Sequence, residues 1–221
     1  MKTLEKKHPL AIRWFHWINF PVIAVMIWSG LLIYWANPVY RVGAGSHTLM
    51  KMTVREPLYE KWHIAFRLGE GISLHFFFMW FFAINGILYV LYTIFSGEWR
   101  DLVPDRRSFK EAFLVVLHDL HLRKEAPPQR KYNAAQRISY TAIVLMGFGS
   151  LLTGLSIYKP VQFAWLTFLF GGYQMARFFH FWITIGYVAF FVVHIAQVIK
   201  TGWNNFRAMV IGYEVREVPN E

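Results

Sequence analysis

Four uncharged apolar runs, at residues 14–35, 72–95, 138–157 and 178–199, dominate this chain of 221 residues. Each is about 20 residues long, the length a helix needs to cross a hydrocarbon core of about 30 Å. Lipid offers the backbone no hydrogen-bond partners, so such runs have little choice but to be helices. The composition agrees: 56% of residues are apolar, 19% are aromatic and mean hydropathy is positive. Trp14, Trp17, Trp35, Tyr92, Trp99, Tyr158 and Trp203 fall near the ends of the runs, as interfacial aromatic belts do. The pattern predicts an all-α integral membrane protein, a four-helix transmembrane bundle with additional interfacial helices. No linker or composition shift divides the chain, so one domain over residues 1–221 is expected, and no internal repeat stands out.

The formal charge of +10 would suit nucleic acid, but its distribution argues against that partner. Sixteen Lys and Arg flank the apolar runs on the side of the two termini, and seven lie on the other. The bias follows the positive-inside rule and predicts cytoplasmic termini. The first run follows a basic start (Lys2, Lys6, Lys7, Arg13), as a signal peptide would. It is too long for one and has no small-residue cleavage site, so a retained span is expected. Cysteine is absent, which excludes thiolate-bound zinc, iron–sulfur clusters and thioether-attached haem.

Among the connections, the external segment 36–71 opens on the turn signal Asn37-Pro38, and its part 57–67 reads as a surface helix. In the cytoplasmic segment 96–132, residues 108–122 carry Phe109, Phe113, Val116, Leu117 and Leu120 at helical spacing. An interfacial helix is expected there, with Ser108 and Glu111 as a capping box. The stretch 161–170 is apolar but too short to span, and is expected in the external interface.

Nine histidines are present, and the topology sorts them. His180 and His194 are fourteen residues apart in the last run, on nearly one helix face and separated by about 21 Å along the axis. Ionisable groups at such depth are costly and need partners. Depth pairs His16 with His194 near the cytoplasmic side, and His75 with His180 near the external side. Two trans-helix pairs at two depths are what bis-imidazole ligation of two b-type haems requires. Gly30, Gly71, Gly147, Gly149, Gly154 and Gly186 are candidates for porphyrin slots, and equally for plain helix packing. Arg177, one turn before His180, is a candidate for a haem propionate or an interfacial snorkelling residue; Arg13 and Arg67 are further propionate candidates. His8, His47, His63, His118 and His121 read as solvated, with His63 close enough in sequence to His75 to approach a propionate.

Arg13-Trp14-Phe15-His16-Trp17-Ile18-Asn19 is similar to the opening of membrane-bound cytochrome b subunits of the bacterial b561 type. Ser29-Gly30, Leu74-His75-Phe76, Asn85-Gly86, Lys131-Tyr132-Asn133-Ala134-Ala135-Gln136, Thr153-Gly154-Leu155, Gly171-Gly172-Tyr173 and Ala176-Arg177 with His180 extend the resemblance over essentially the whole chain. The group includes the cytochrome b subunits of formate dehydrogenases, nickel–iron hydrogenases and thiosulfate reductase-type enzymes. The resemblance implies two haems b held by the histidine pairs just named. It also implies a site for menaquinone or ubiquinone beside the cytoplasmic haem, at Asn133, Gln136 and His194. Read from the sequence alone, Asn133 is a helix cap, a role that leaves Gln136 without an explanation. The external loop is longer and the tail shorter than in formate dehydrogenase subunits, closer to the thiosulfate reductase type.

The expected function is electron transfer in a bacterial inner membrane, in either direction, between quinone and a periplasmic molybdenum/tungsten or nickel–iron oxidoreductase subunit. An intervening iron–sulfur subunit is compatible with this. The sequence offers no substrate-specific acid, base or nucleophile, so primary substrate chemistry is expected on the partner. The alternative is a stand-alone b561 oxidising superoxide or another small donor, which the long loops disfavour. A histidine-based transporter would need intramembrane carboxylates, and the runs contain none.

Overall fold

A computed structural model describes residues 2–36, 39–44, 47–53, 67–125 and 132–217. In chain order these form β1 (Lys2–Lys6), α1 (Leu10–Ala36), β2 (Val39–Ala44), β3 (His47–Thr53), α2 (Leu68–Ser96), α3 (Trp99–Leu102), α4 (Ser108–Asp119), α5 (Ala134–Tyr158), α6 (Ala164–Leu169), α7 (Tyr173–Thr201), α8 (Trp203–Ile211) and β4 (Tyr213–Glu217). The helices α1, α2, α5 and α7, of 27, 29, 25 and 29 residues, are the four expected spans. Each begins four or five residues before its apolar run, because intrahelical bonding continues into the interface where side chains turn polar. Pro21 sits inside α1 without ending it. α2 stops at Gly97, whose left-handed backbone (φ 79°) returns its N–H to Ile94 O.

Around the bundle α1 packs on α2 and α5 on α7, while α2 and α5 barely meet. The pairing on α1 is close because Gly71 has no side chain: a Cβ there would lie 2.8 Å from Leu32 Cβ. Ser29, Thr153, Ser156 and Ala176 are buried between the spans, whereas Phe77, Trp80, Leu145, Phe148 and Val192 face outward. Small and hydroxyl residues inside with large apolar ones outside is the arrangement lipid favours.

The first and last described strands, β1 and β4, lie at one end of the bundle, here the terminal end. β1 and β4 pair antiparallel there, Lys2 opposite Glu217, a ribbon that hydrophobic periodicity did not foretell. Lys7 Nζ reaches Glu214 at 2.6 Å and Asn205 at 3.1 Å, and α8 lies against the start of α1 through Trp17 and Phe206. At the far end β2 and β3 form a hairpin. Asn37, Pro38, His63 and the expected surface helix, apart from Arg67, lie outside the described residues.

The helix α4 turns Phe109, Phe113 and Val116 outward, with Leu120 exposed just past its end, and anchors by Asp119, whose carboxylate accepts from Lys200 at 2.7 Å and Gln197 at 2.9 Å. The expected capping box at Ser108 and Glu111 does not form. Asp105 takes the role, accepting from the N–H of Arg107 and Ser108 at 3.0 and 2.9 Å and from the Ser108 hydroxyl at 2.9 Å. These bonds, the Ser108 hydroxyl first, hold the Asp105 carboxyl below the usual carboxylate range. The stretch 161–170 gives the short α6, whose Leu166 is buried while Trp165 and Phe168 stay exposed.

Candidate functional site

Two imidazole pairs stand at the two ends of the bundle. His75 lies one turn after Gly71 on α2, and His180 one turn after the fully buried Ala176 on α7. Small residues one turn before each ring let its helix close on the neighbouring span. The ring centroids of His75 and His180 are 6.1 Å apart at 74°. His16 of α1 and His194 of α7 are also 6.1 Å apart, at 54°. The structure thus brings together both pairs that depth suggested.

The far pair is held from behind. Ser29 Oγ lies 3.0 Å from His75 Nδ1, and Thr153 Oγ1 lies 2.9 Å from His180 Nδ1. Each hydroxyl has a single proton, and each sits 2.7 Å from a carbonyl four residues back, Val25 O for Ser29 and Gly149 O for Thr153. With that proton given to the helix, the hydroxyl oxygen accepts from Nδ1–H. The ring proton is therefore assigned to Nδ1, which leaves the Nε2 lone pair to act as a ligand. Gly30 and Gly154 border the same rings: a Cβ at either would stand 3.5 Å from Cε1 of its histidine.

The terminal-end pair is built differently. His16 Nδ1 is buried and has no hydrogen-bond partner among the described residues. His194 stacks parallel to Phe190 at 5.7 Å, and Trp17, edge-on to His16, donates its Nε1–H to Met209 O at 3.1 Å. Arg13 gives Nη1–H to Val210 O at 2.7 Å, but its Nε, like Arg207 Nε on α8, is buried and has no acceptor among the described residues.

The donor chemistry of both pairs suits an iron porphyrin, since each offers two imidazoles and no thiolate or carboxylate. At a 6.1 Å ring separation each pair would hold an iron between two imidazoles, one nitrogen from each. Among the described residues no three His, Cys, Asp or Glu gather on one point, so the donors come in twos, the axial set a haem takes. The orphaned N–H groups of Arg13 and Arg207 suit an anionic edge, as propionates provide.

Arg177, one turn before His180, lies over the Tyr40 ring at 4.9 Å and donates to Gln174 Oε1 at 3.2 Å. Tyr40 is buried in a stack with Tyr34 and Phe181; burial pushes its phenol up, against the pull of the Arg177 guanidinium. Arg67 is committed to Glu70 by two bonds of 2.5 and 2.7 Å. At the start of α5, Asn133 Oδ1 accepts from Gln136 N at 2.9 Å, and Gln136 Oε1 accepts from Asn133 N at 3.0 Å. This complete capping box explains Gln136 without a ligand. Of the candidate slot glycines, Gly30 and Gly154 border the histidines. Gly71, Gly147, Gly149 and Gly186 serve packing against Leu32, Tyr187, Ile183 and Met146.

Ser29 and Thr153 escaped the sequence reading as functional residues. Their signal was a repeat: Ser29-Gly30-Leu31-Leu32-Ile33-Tyr34 and Thr153-Gly154-Leu155-Ser156-Ile157-Tyr158 share one pattern, correcting the expectation that no repeat is present.

A family model described as prokaryotic cytochrome b561 matches residues 7–212. A protein of Azospira oryzae, provisionally named the protein-methionine-sulfoxide reductase subunit YedZ1, is similar over 198 residues at 32% identity, covering 89% of this chain and 92% of the relative.

Proposed function

Because the chain belongs to the prokaryotic cytochrome b561 family, which binds haem b, we propose that it is the di-haem electron-transfer subunit of a membrane oxidoreductase complex, working with quinone. The observation that carries this reading is the equal 6.1 Å separation of two imidazole pairs that share α7. His75 and His180 would hold one iron, His16 and His194 the other. Bound there, the haems supply one-electron relay chemistry, which belongs to the cofactor. The chain's own part is to present and shield. Ser29 and Thr153 fix the ring proton on Nδ1, Phe190 walls the terminal-end pair, and Arg177, Arg13 and Arg207 offer donors to propionates.

The quinone would bind near the terminal end. Asn133, Gln136 and His194 are the residues the resemblance assigns to it; the capping box engages both amide oxygens and leaves the NH₂ groups as donors. The charge bias supports a bacterial inner-membrane protein with cytoplasmic termini, which puts the far pair toward the periplasm. There the partner would dock, a molybdenum/tungsten or nickel–iron oxidoreductase acting directly or through an iron–sulfur subunit. The relative's name is that of a reductase subunit and favours electron flow from quinol outward.

A pyridine haemochrome assay on the purified chain tests the reading. Two haems b per chain with a low-spin bis-histidine spectrum are expected, and a haem-free chain would overturn it. Proteins that co-purify in mild detergent identify the partner.

A further inference from the structure

The two halves of the bundle are related by an internal twofold. The repeated hexapeptides of α1 and α5 make the same contacts with His75-Phe76 on α2 and His180-Phe181 on α7. The hydroxyl contacts are 3.0 and 2.9 Å; Tyr34 meets Phe181 at 4.8 Å, and Tyr158 meets Phe76 at 4.6 Å. The axis passes between His75 and His180, and again between Phe82 and Tyr187, each seven residues further along its helix.

This rotation carries the terminal-end histidines onto tyrosines. His16 precedes Ser29 by thirteen residues, as Tyr140 precedes Thr153. His194 follows His180 by fourteen, as Tyr89 follows His75. The gap between α1 and α7 that holds His16 and His194 therefore has a counterpart between α2 and α5, at the same depth, with two phenols in place of two imidazoles. Tyr89 and Tyr140 are within electrostatic range of each other, and Tyr132 packs edge-on against Tyr140 at 5.3 Å. Phe15 adds a further wall, 5.9 Å from the rings of both Tyr89 and Tyr92.

The two gaps differ in filling. About one turn from His16 and His194, Phe20 of α1 stacks on Phe191 of α7 at 6.2 Å, both rings half-exposed. The equivalent positions between α2 and α5 are Val144 and Gly86, and a Cβ on Gly86 would meet nothing within 4 Å. The counterpart gap thus carries no such ring pair beyond its two phenols, and it cannot offer the bis-imidazole set of its twin.

We propose that this α2–α5 slot is the quinone headgroup site, with the Tyr89 and Tyr140 hydroxyls as its hydrogen-bonding groups. A planar, uncharged ring with two carbonyl oxygens matches a slot walled by aromatic rings, furnished with neutral donors and opening between two loosely packed spans. The proposal rests on the quinone reading above and moves the headgroup contacts away from Asn133 and Gln136, whose amide oxygens are engaged in the cap. Oxidation of one bound quinol yields one quinone, two electrons that pass singly to the haems and on to the partner, and two protons. Glu98 and Asp101, both within electrostatic range of Tyr132, are carboxylates at that mouth through which the protons can leave.

The test is a fluorescence-quenching titration of 2-heptyl-4-hydroxyquinoline N-oxide, a quinol analogue, on the haem-loaded full chain in nanodiscs. Tyr89→Phe and Tyr140→Phe keep the rings and remove only the hydroxyls. Each is expected to weaken binding about three- to tenfold, and the double variant more than tenfold. The dithionite-reduced haem spectrum should stay that of the wild type, which excludes misfolding, and exposed Tyr213→Phe should bind normally. Wild-type binding that survives in the double variant, or that Asn133→Ala and Gln136→Ala abolish while the tyrosine variants do not, overturns the site and leaves the quinone reading standing. A wild-type chain that binds no analogue overturns both. Three haems per chain would show a porphyrin in the slot and also overturn the proposal.

Discussion

The far pair and the terminal-end pair have the same ring separation and opposite surroundings. Behind His75 and His180 stand buried hydroxyls whose own protons are spent on their helices, so each ring is oriented before any ligand arrives. Behind His16 there is no acceptor among the described residues, and Arg13 and Arg207 each present a further buried N–H without one. Buried donors are rarely left unmet in a finished site. The far end is thus organised by the protein itself, while the terminal end has donors that an anionic edge or solvent must complete. The terminal end therefore depends on its ligand for order, and the far end does not.

Removing one histidine from either pair has the largest effect. His180→Ala is expected to halve the haem content and leave the terminal-end spectrum intact, and His194→Ala to do the converse, read by haemochrome stoichiometry and low-temperature spectra. Loss of both haems in either variant would mean that the ends do not assemble independently.

A smaller effect separates the pairs by their support. Ser29→Ala and Thr153→Val remove the acceptor behind Nδ1 and are expected to weaken haem retention at the far pair about 10–100-fold. Hydrogen bonding raises the basicity of a ligating imidazole, so its loss should also raise the midpoint potential of that haem and leave the other unmoved. Potentiometric titration resolves the two. Equal shifts at both haems would erase the distinction between the ends.

The spans and the pairing of histidines by depth were legible because both are local signals: run length, helical rise and the alternation of sides. What stayed hidden depends on neighbours. Ser29 is an ordinary helix residue until α2 places His75 beside it, and the hexapeptide repeat acquires meaning only when both copies touch a histidine. The β1–β4 ribbon joins the two ends of the chain, a pairing beyond any local window. At α4 a local rule misled, because Asp105, three residues before Ser108, is the better acceptor for the first turn. For Asn133 the local rule held: the cap was readable, and its partner Gln136 is explained by it as well.

That cap gives the next step down in size. Asn133→Ala deprives α5 of its box and is expected to cost about 0.5–2 kcal/mol of stability, seen as earlier thermal loss of the haem spectrum. Gln136→Ala, which removes only the reciprocal bond, should cost less. If either leaves stability untouched while weakening quinol-analogue binding, the amides serve the ligand rather than the helix.

The smallest expected effect lies in the ribbon that ties the terminal end together. The bond from Lys7 at 2.6 Å, with Arg216 adding a second at 2.9 Å, holds the Glu214 carboxyl below the usual carboxylate range. A carboxyl depressed in the folded chain stabilises it above its unfolded pKa, and that contribution fades as pH falls through the folded value. Acidification should therefore loosen the β1–β4 ribbon, seen as faster amide exchange at residues 2–6 and 213–217, while the far pair keeps its protection. Asp105 and Asp119 are also depressed and would contribute to any general acid loss, so the comparison is with Glu214→Gln. That variant should start about 1 kcal/mol weaker in the ribbon and lose less on acidification. An identical acid response in the two proteins would assign the pH dependence to the α4 anchors instead, and the terminal end would then be held by Asp119 and Lys200 rather than by its ribbon.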